Sequence, residues 1–164
     1  RECRKRVIDA RNGAARGAGM AGAASGDSQI DSEEARLGLP EIGVGLMGGG
    51  RNAMRLFGHS LIRRVMLTGY RVPGEELYRR GIVEACVPAE ELMDAAMDLA
   101  RNIAAKSPVA SRIAKHALNT IEEMSLRDGY RFEQNMTYDL SFYEDSKEAM
   151  LAFSEKRAPN FKGR

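Results

Sequence analysis

The chain has 164 residues, 43% apolar and 29% charged, with a net charge of +2. That length allows one domain with one real core, and the near-balanced charge argues against a nucleic-acid or membrane surface. Cys3 and Cys86 are its two cysteines; without metal-ligand spacing they point to free thiols in a reducing, cytoplasmic compartment.

The chain opens RECRKR, basic but without interleaved aromatics, and reads as a solvated end. No apolar h-region follows, so this is no signal peptide, and no apolar run reaches the length of a transmembrane helix. Because the first residue is Arg, either the chain is processed or an upstream part precedes it. Residues 7–10, VIDA, predict a short strand before the Asn12-Gly13 turn, although Asp9 and Arg11 interrupt the apolar run of a buried strand. Residues 13–25 are nearly all Gly and Ala and predict a closely packed helix opened at Gly17 and Gly19. Residues 27–38 predict an edge strand or hairpin, with Asp31, Ser32, Glu33 and Glu34 at a solvated turn.

Beyond residue 50 the pattern turns helical. A helix is expected over 53–57, another capped by Ser60 and ended by Gly69, and a short one from Pro73 to Gly81. Residues 82–87, IVEACV, predict a strand. Pro88 opens a long helix with an apolar stripe from Leu92 to Ile103, and Ser107-Pro108 breaks it. A helix with Val109, Ile113, Ala117 and Ile121 follows. Ser125 and Asp128 form a capping box for a third, running to about Asp145. Ser146 caps the last, on which Phe153 and Lys156 share a face.

The chemistry concentrates at residues 37–50, LGLPEIGVGLMGGG. Glu41 is the one acidic residue there, flanked by proline, apolar residues and glycines. It is either a solvated turn residue or a working acid/base. GVGLMG matches G-x-G-x-x-G, but Pro40 interrupts the strand before it and helices rather than a strand follow, against a dinucleotide site. No Lys-Ser/Thr follows the glycines, which excludes a P-loop. His59 and His116 have no triad or metal-site companions, and no metal is called for.

In order, NGAARGAGMAGAAS, SEEARLGLPEIGVGL, LTGYRVPGEELYRRGIVEACVP, ARNIAAKSPVASRIAK and AFSEKRAPNFKG resemble the crotonase family of enoyl-CoA hydratases and isomerases, from about residue 7 to residue 164. The resemblance implies an α/β chain: part of a crotonase-like ββα spiral, residues 1–58, followed by a C-terminal α-helical trimerisation region, 59–164. It implies the C-terminal portion of such an enzyme, the N-terminal half lying outside this sequence. The implied chemistry is acyl-CoA processing, with backbone N–H groups stabilising a thioester enolate. Matched onto the family's motifs, the backbone N–H of Ala18 is one oxyanion donor and Glu41 the acid/base. Gly17, Gly19, Pro40 and Val44 fall at substrate-binding positions, and Phe153 and Lys156 at the adenosine end of CoA. Ala21 stands where family hydratases carry a first glutamate. The implied partners are an acyl-CoA thioester and further copies in a homotrimer or homohexamer. No cofactor is implied beyond the CoA of the substrate. Two other readings compete: a non-catalytic relative acting as an acyl-CoA-binding or assembly module, and a plain helical domain without a sheet.

Overall fold

A computed structural model describes residues 3–164, which form two compact units, each taken by itself. The first runs Val7–Leu99. Within it the chain winds in turns. β1 (Ile8–Arg11) lies in one sheet, β2 (Ala14–Arg16) in a second, and α1 (Ala18–Ala23) follows. The next turn repeats the order: β3 (Ser28–Ser32) pairs parallel to β1, and β4 (Arg36–Gly38) pairs parallel to β2. A 3₁₀ turn (Pro40–Val44), α2 (Gly50–Ala53) and α3 (His59–Thr68) complete it. Then β5 (Arg71–Pro73) pairs antiparallel to β4, α4 (Gly74–Arg79) follows, and β6 (Ala85–Val87) pairs parallel to β3. Like turns stack on like, so each needs its neighbour to bury its apolar side.

The core between the second sheet and the helices gathers Met20, Leu37, Leu39, Phe57, Ile62, Val65, Val72 and Leu77. Each such side chain contributes up to about 1.5–3 kcal/mol by leaving water. Because Leu61, Ile62 and Val65 of α3 belong to this core, the expected division at 58/59 falls inside the unit. A second cluster sets Ile8, Ala10, Ile30, Ala85 and Val87 against Leu92, Ala96 and Leu99 of α5 (Leu92–Ala104).

The first sheet corrects the sequence reading. Residues 27–38 make no hairpin: β3 and β4 lie in different sheets, and β3 is central, not an edge. Asp31 is therefore fully buried rather than on a solvated turn. Side chains alternate across a strand. Ile8 and Ala10 face the apolar cluster, whereas Asp9 and Arg11 share the opposite face with Gln29 and Asp31. Arg11 stands directly opposite Asp31 in register and reaches its Oδ1 at 2.6 Å. The same guanidinium bonds Asp9 and donates to Gln29 Oε1 at 3.0 Å, and Gln29 donates to the Ala23 carbonyl. Asp9 and Arg11 are thus the polar face of a regular strand. Burial raises the Asp31 carboxyl to about 6, against the pull of Arg11.

The second unit comprises residues 3–6 and 100–164. α6 (Pro108–Ile121) begins at Ser107, whose Oγ accepts from Ala110 N at 3.2 Å. α7 (Leu126–Ser141) begins at Ser125, whose Oγ accepts from Asp128 N at 3.1 Å. α8 (Glu144–Ser154) follows. Asp145 is buried at its start and accepts from Ser107 Oγ and from the Lys162 and Gly163 amides, which ties down the C-terminal residues. Burial opposes its charge, but these bonds outweigh burial and hold its carboxyl below the usual range. Among the described residues no helix is long and apolar enough to cross a membrane.

Other expectations shift by a turn or less. Residues 14–16 are strand, the strand expected over 82–87 covers only Ala85–Val87, and α7 stops at Ser141. α3 is capped by Gly58 rather than Ser60, and α8 by Tyr143 rather than Ser146.

Removing one partner of a buried ion pair strands the other. Arg11→Met is expected to cost about 3–5 kcal/mol in urea unfolding, and Arg11→Met/Asp31→Leu to recover most of it. Asp31 is raised in the folded state, so the stability it contributes is complete below 3.8 and is lost as the pH rises through about 6. Unfolding midpoints measured from about pH 4 to pH 7 should therefore fall more steeply for the native chain than for Asp31→Asn.

Candidate active site

Glu41 is held by the elements on either side of it. Leu37 and Leu39 are buried and fix the end of β4. Pro40 presets the backbone for the first position of the 3₁₀ turn, and Gly45, left-handed at φ 75°, ends it. The Glu41 side chain then points at the turn before α1. There Gly17 adopts φ 50°, and a Cβ added to it would lie 2.6 Å from Glu41 Oε1. The third segment of the site is Gly49, at φ 71°, where an added Cβ would lie 2.9 Å from Leu39 Cδ2 and 3.7 Å from the Gly17 carbonyl. Gly17, Leu39, Glu41 and Gly49 thus converge from three segments, with the Glu41 and Leu39 side chains lying where Cβ atoms at positions 17 and 49 would crowd them.

The carboxylate is unevenly served. Glu41 Oε2 is buried and has no hydrogen-bond partner among the described residues. A buried polar atom without a partner costs free energy that a folded protein rarely leaves uncompensated. Beside it opens a cavity of about 130 Å³ lined by Leu39, Ile42, Leu46, Met47, Gly48, Met66, Leu67 and Glu41 itself. Every other side chain on that list is apolar.

Ala18 is the first residue of α1 and is exposed. The turn closes with Ala21 N donating to the Gly17 carbonyl at 3.1 Å, so the Ala18 and Gly19 amides precede the helix's own bonding. Ala21, one turn on, is half-buried and brings no second carboxylate.

The arrangement sets one carboxylate between the Gly17 turn and an apolar wall. The family model described as "Enoyl-CoA hydratase/isomerase" matches residues 1–164, including the first six that the sequence resemblance left out. The chain belongs to this enoyl-CoA hydratase/isomerase, or crotonase, family. It is 37% identical over 163 residues to a 2,3-dehydroadipyl-CoA hydratase of Escherichia coli, covering 98% of this chain and 64% of that protein. A short-chain-enoyl-CoA hydratase of Clostridium acetobutylicum is 36% identical over 156 residues, covering 93% of this chain and 60% of that protein. The crystal structure of an enoyl-CoA hydratase from Bacillus anthracis superposes with a TM-score of 0.94 at 32% identity, over 99% of this chain and 64% of that one. The chain thus spans about three fifths of the length of the curated relatives it matches.

Of the crotonase positions expected from sequence, Gly17 and Glu41 are brought together, with Ala18 and Pro40 their neighbours along the chain. Gly19 lies one residue further along α1, and Val44 ends the 3₁₀ turn, 76% exposed and outside the cavity lining. Phe153 and Lys156 belong to the second unit. They share no helical face, because α8 ends at Ser154 and Lys156 turns left-handed at φ 54°. Phe153 is 87% exposed. Met66 and Leu67 were missed as site residues, since their helical stripe reads equally well as core. Gly49 was signalled only by the run of three glycines.

Gly17→Ala places a methyl on the carboxylate in a backbone conformation that disfavours it, and should cost about 1–3 kcal/mol in urea unfolding. Gly19→Ala, inside α1 with only Ala15 Cβ at 3.8 Å, should be neutral or stabilising by up to about 1 kcal/mol.

Proposed function

We propose that this chain processes an acyl-CoA thioester by crotonase chemistry, as an enoyl-CoA hydratase/isomerase type of enzyme, with Glu41 as the acid/base. The observation that carries the reading is the buried, unpartnered Glu41 Oε2 at the wall of an apolar cavity. A carboxylate kept short of partners is poised to take them from substrate, and general acid/base transfer needs such reach. Glu41 removes a proton from the carbon next to the thioester, and the electron pair moves onto the thioester oxygen. The Ala18 N–H, aimed outward at the start of α1, is one donor to that oxyanion. Glu41 then returns its proton to a carbon of the same chain. With alanine at position 21, one carboxylate carries both transfers, which suits a proton shift along the acyl chain better than addition of water by two carboxylates.

The finer parts of the reading belong to the same proposal. The first unit, Val7–Leu99, contributes turns of a crotonase spiral. Exposed Leu118, Leu126, Tyr130 and Tyr138 on the second unit support self-assembly in threes. The free thiols of Cys3 and Cys86 suit a reducing, cytoplasmic compartment. Ala21 favours one alternative, a non-catalytic module that binds acyl-CoA; binding without turnover would identify it.

Glu41→Gln is expected to lower turnover of crotonyl-CoA or 3-enoyl-CoA by about 10²–10⁴-fold, while the urea midpoint holds. Turnover equal to that of the native chain removes Glu41 from the mechanism.

A further inference from the structure

The second unit carries a cavity that the chemistry at Glu41 does not use. It measures about 680 Å³, within the range of small-molecule sites. α6 builds one wall of it. Arg112, Lys115, His116 and Asn119 fall at i, i+3, i+4 and i+7 and so share a helical face. Arg4 joins them from the N-terminal segment, and Tyr143 from the residue before α8. Two of these groups are held in place. Lys115 is 8% exposed, and its Nζ donates to the Lys5 carbonyl at 2.8 Å. His116 meets the Phe132 ring edge-on, with centroids 5.9 Å apart.

Charge sets the class of ligand. Arg4, Arg112 and Lys115 put three positive charges into one lining, although the whole chain carries only +2. Among the described residues no Asp or Glu lines the cavity. Elsewhere in this unit arginines meet carboxylates: Arg157 pairs with Glu148 and Glu155, and Arg164 with Glu144. Like charges gathered in one cavity repel, and a bound anion relieves that repulsion. Guanidinium forks take phosphate oxygens two at a time, and an ammonium binds them as a point charge. Three cations exceed the charge of about −2 on one phosphate group, so they answer two.

Polarity decides what joins the phosphates. Ile113 is the single aliphatic side chain in the lining, too little to wall an acyl chain. The Asn119 amide and the Tyr143 hydroxyl both donate and accept, as alcohol groups require. We propose that this cavity binds a small polyhydroxyl compound bearing two phosphates, a sugar bisphosphate by class. The site shares no residue with the one around Glu41 and does not rest on the acyl-CoA reading.

The test is calorimetry on the whole chain at fixed salt, with fructose 1,6-bisphosphate, fructose 6-phosphate, pyrophosphate and CoA as probes. The bisphosphate should bind at least about tenfold more tightly than the monophosphate, since it gains further charge-assisted bonds. It should outbind pyrophosphate, which has the charge but no hydroxyls, by about fivefold. Arg112 is exposed, so Arg112→Gln keeps the fold and should cost the bisphosphate at least about tenfold. Asn119→Leu should weaken the bisphosphate by about fivefold and leave pyrophosphate unchanged. Absence of bisphosphate binding overturns the proposal. So does affinity that follows charge alone, with pyrophosphate equal to the bisphosphate, or an Arg112→Gln chain that binds as the native one does. Displacement of the bisphosphate by CoA overturns it as well, by making the cavity part of a CoA site. The Glu41→Gln measurement tests the acyl-CoA reading separately.

Discussion

The first unit's site depends on a methyl group that is not there. Glu41 Oε1 occupies the space next to Gly17 where any other residue would carry its Cβ. Gly49 does the same for Leu39 on the other side of the turn. Three chain segments can close to this distance only if the backbone itself is the surface, and glycine alone offers that at left-handed φ. The consequence is chemical as well as steric. The Glu41 carboxylate is thereby brought against the turn that leads into α1, with no side chain at Gly17 between them.

The polar sheet face answers a different constraint. A central strand in a parallel sheet is covered on both sides, and such strands usually run apolar throughout. Here one face of β1 and β3 is apolar and the other holds Asp9, Arg11, Gln29 and Asp31. Burying these groups is tolerable because they meet each other: Arg11 answers two carboxylates and an amide, and Gln29 passes the chain of bonds on to α1 through the Ala23 carbonyl. The pairing also fixes register, since a slip of one residue would put Arg11 opposite the wrong partner and turn each side chain to the other face. The end of α1 is thereby tied to the first sheet, while its start makes the Gly17 turn.

What could be read from the sequence follows from how local its causes are. The long helices were legible because stripe and cap lie within one segment: Ser125 caps the helix it was expected to cap, and Ser107, read only as a break, caps the helix that follows it. Ser60 and Ser146 did not, because Gly58 and Tyr143 take the extended backbone of the cap and move each helix start to an earlier residue. Strands of three residues, such as β2 and β5, carry too little alternation to be seen. The alternation in β1 was visible at Asp9 and Arg11, but its meaning required the partner strand, twenty residues on. Glu41 stood out by its setting, yet its role came from the motif order and not from periodicity. Met66 stayed hidden because the cavity is assembled from two stretches, residues 39–48 and 66–67, and nothing local marks that meeting.

A single carboxylate constrains the chemistry further. With two, one can deliver a proton while the other activates water, and neither has to move. On the proposed reading, with Glu41 alone the proton it removes would be the proton it returns, so both carbons would have to come within reach of one side chain. The apolar wall serves that sequence. Among the described residues it leaves Glu41 Oε2 without a hydrogen-bond partner, and no polar side chain other than that of Glu41 lines the cavity. Excluding water is a hindrance to hydration and an advantage to a proton shift, since a carbanion-like intermediate is then returned to carbon rather than intercepted. On the proposed reading, Ala21 and the apolar cavity therefore favour the same outcome by independent routes: one withdraws the second acid, the other offers water no polar side chain besides that of Glu41.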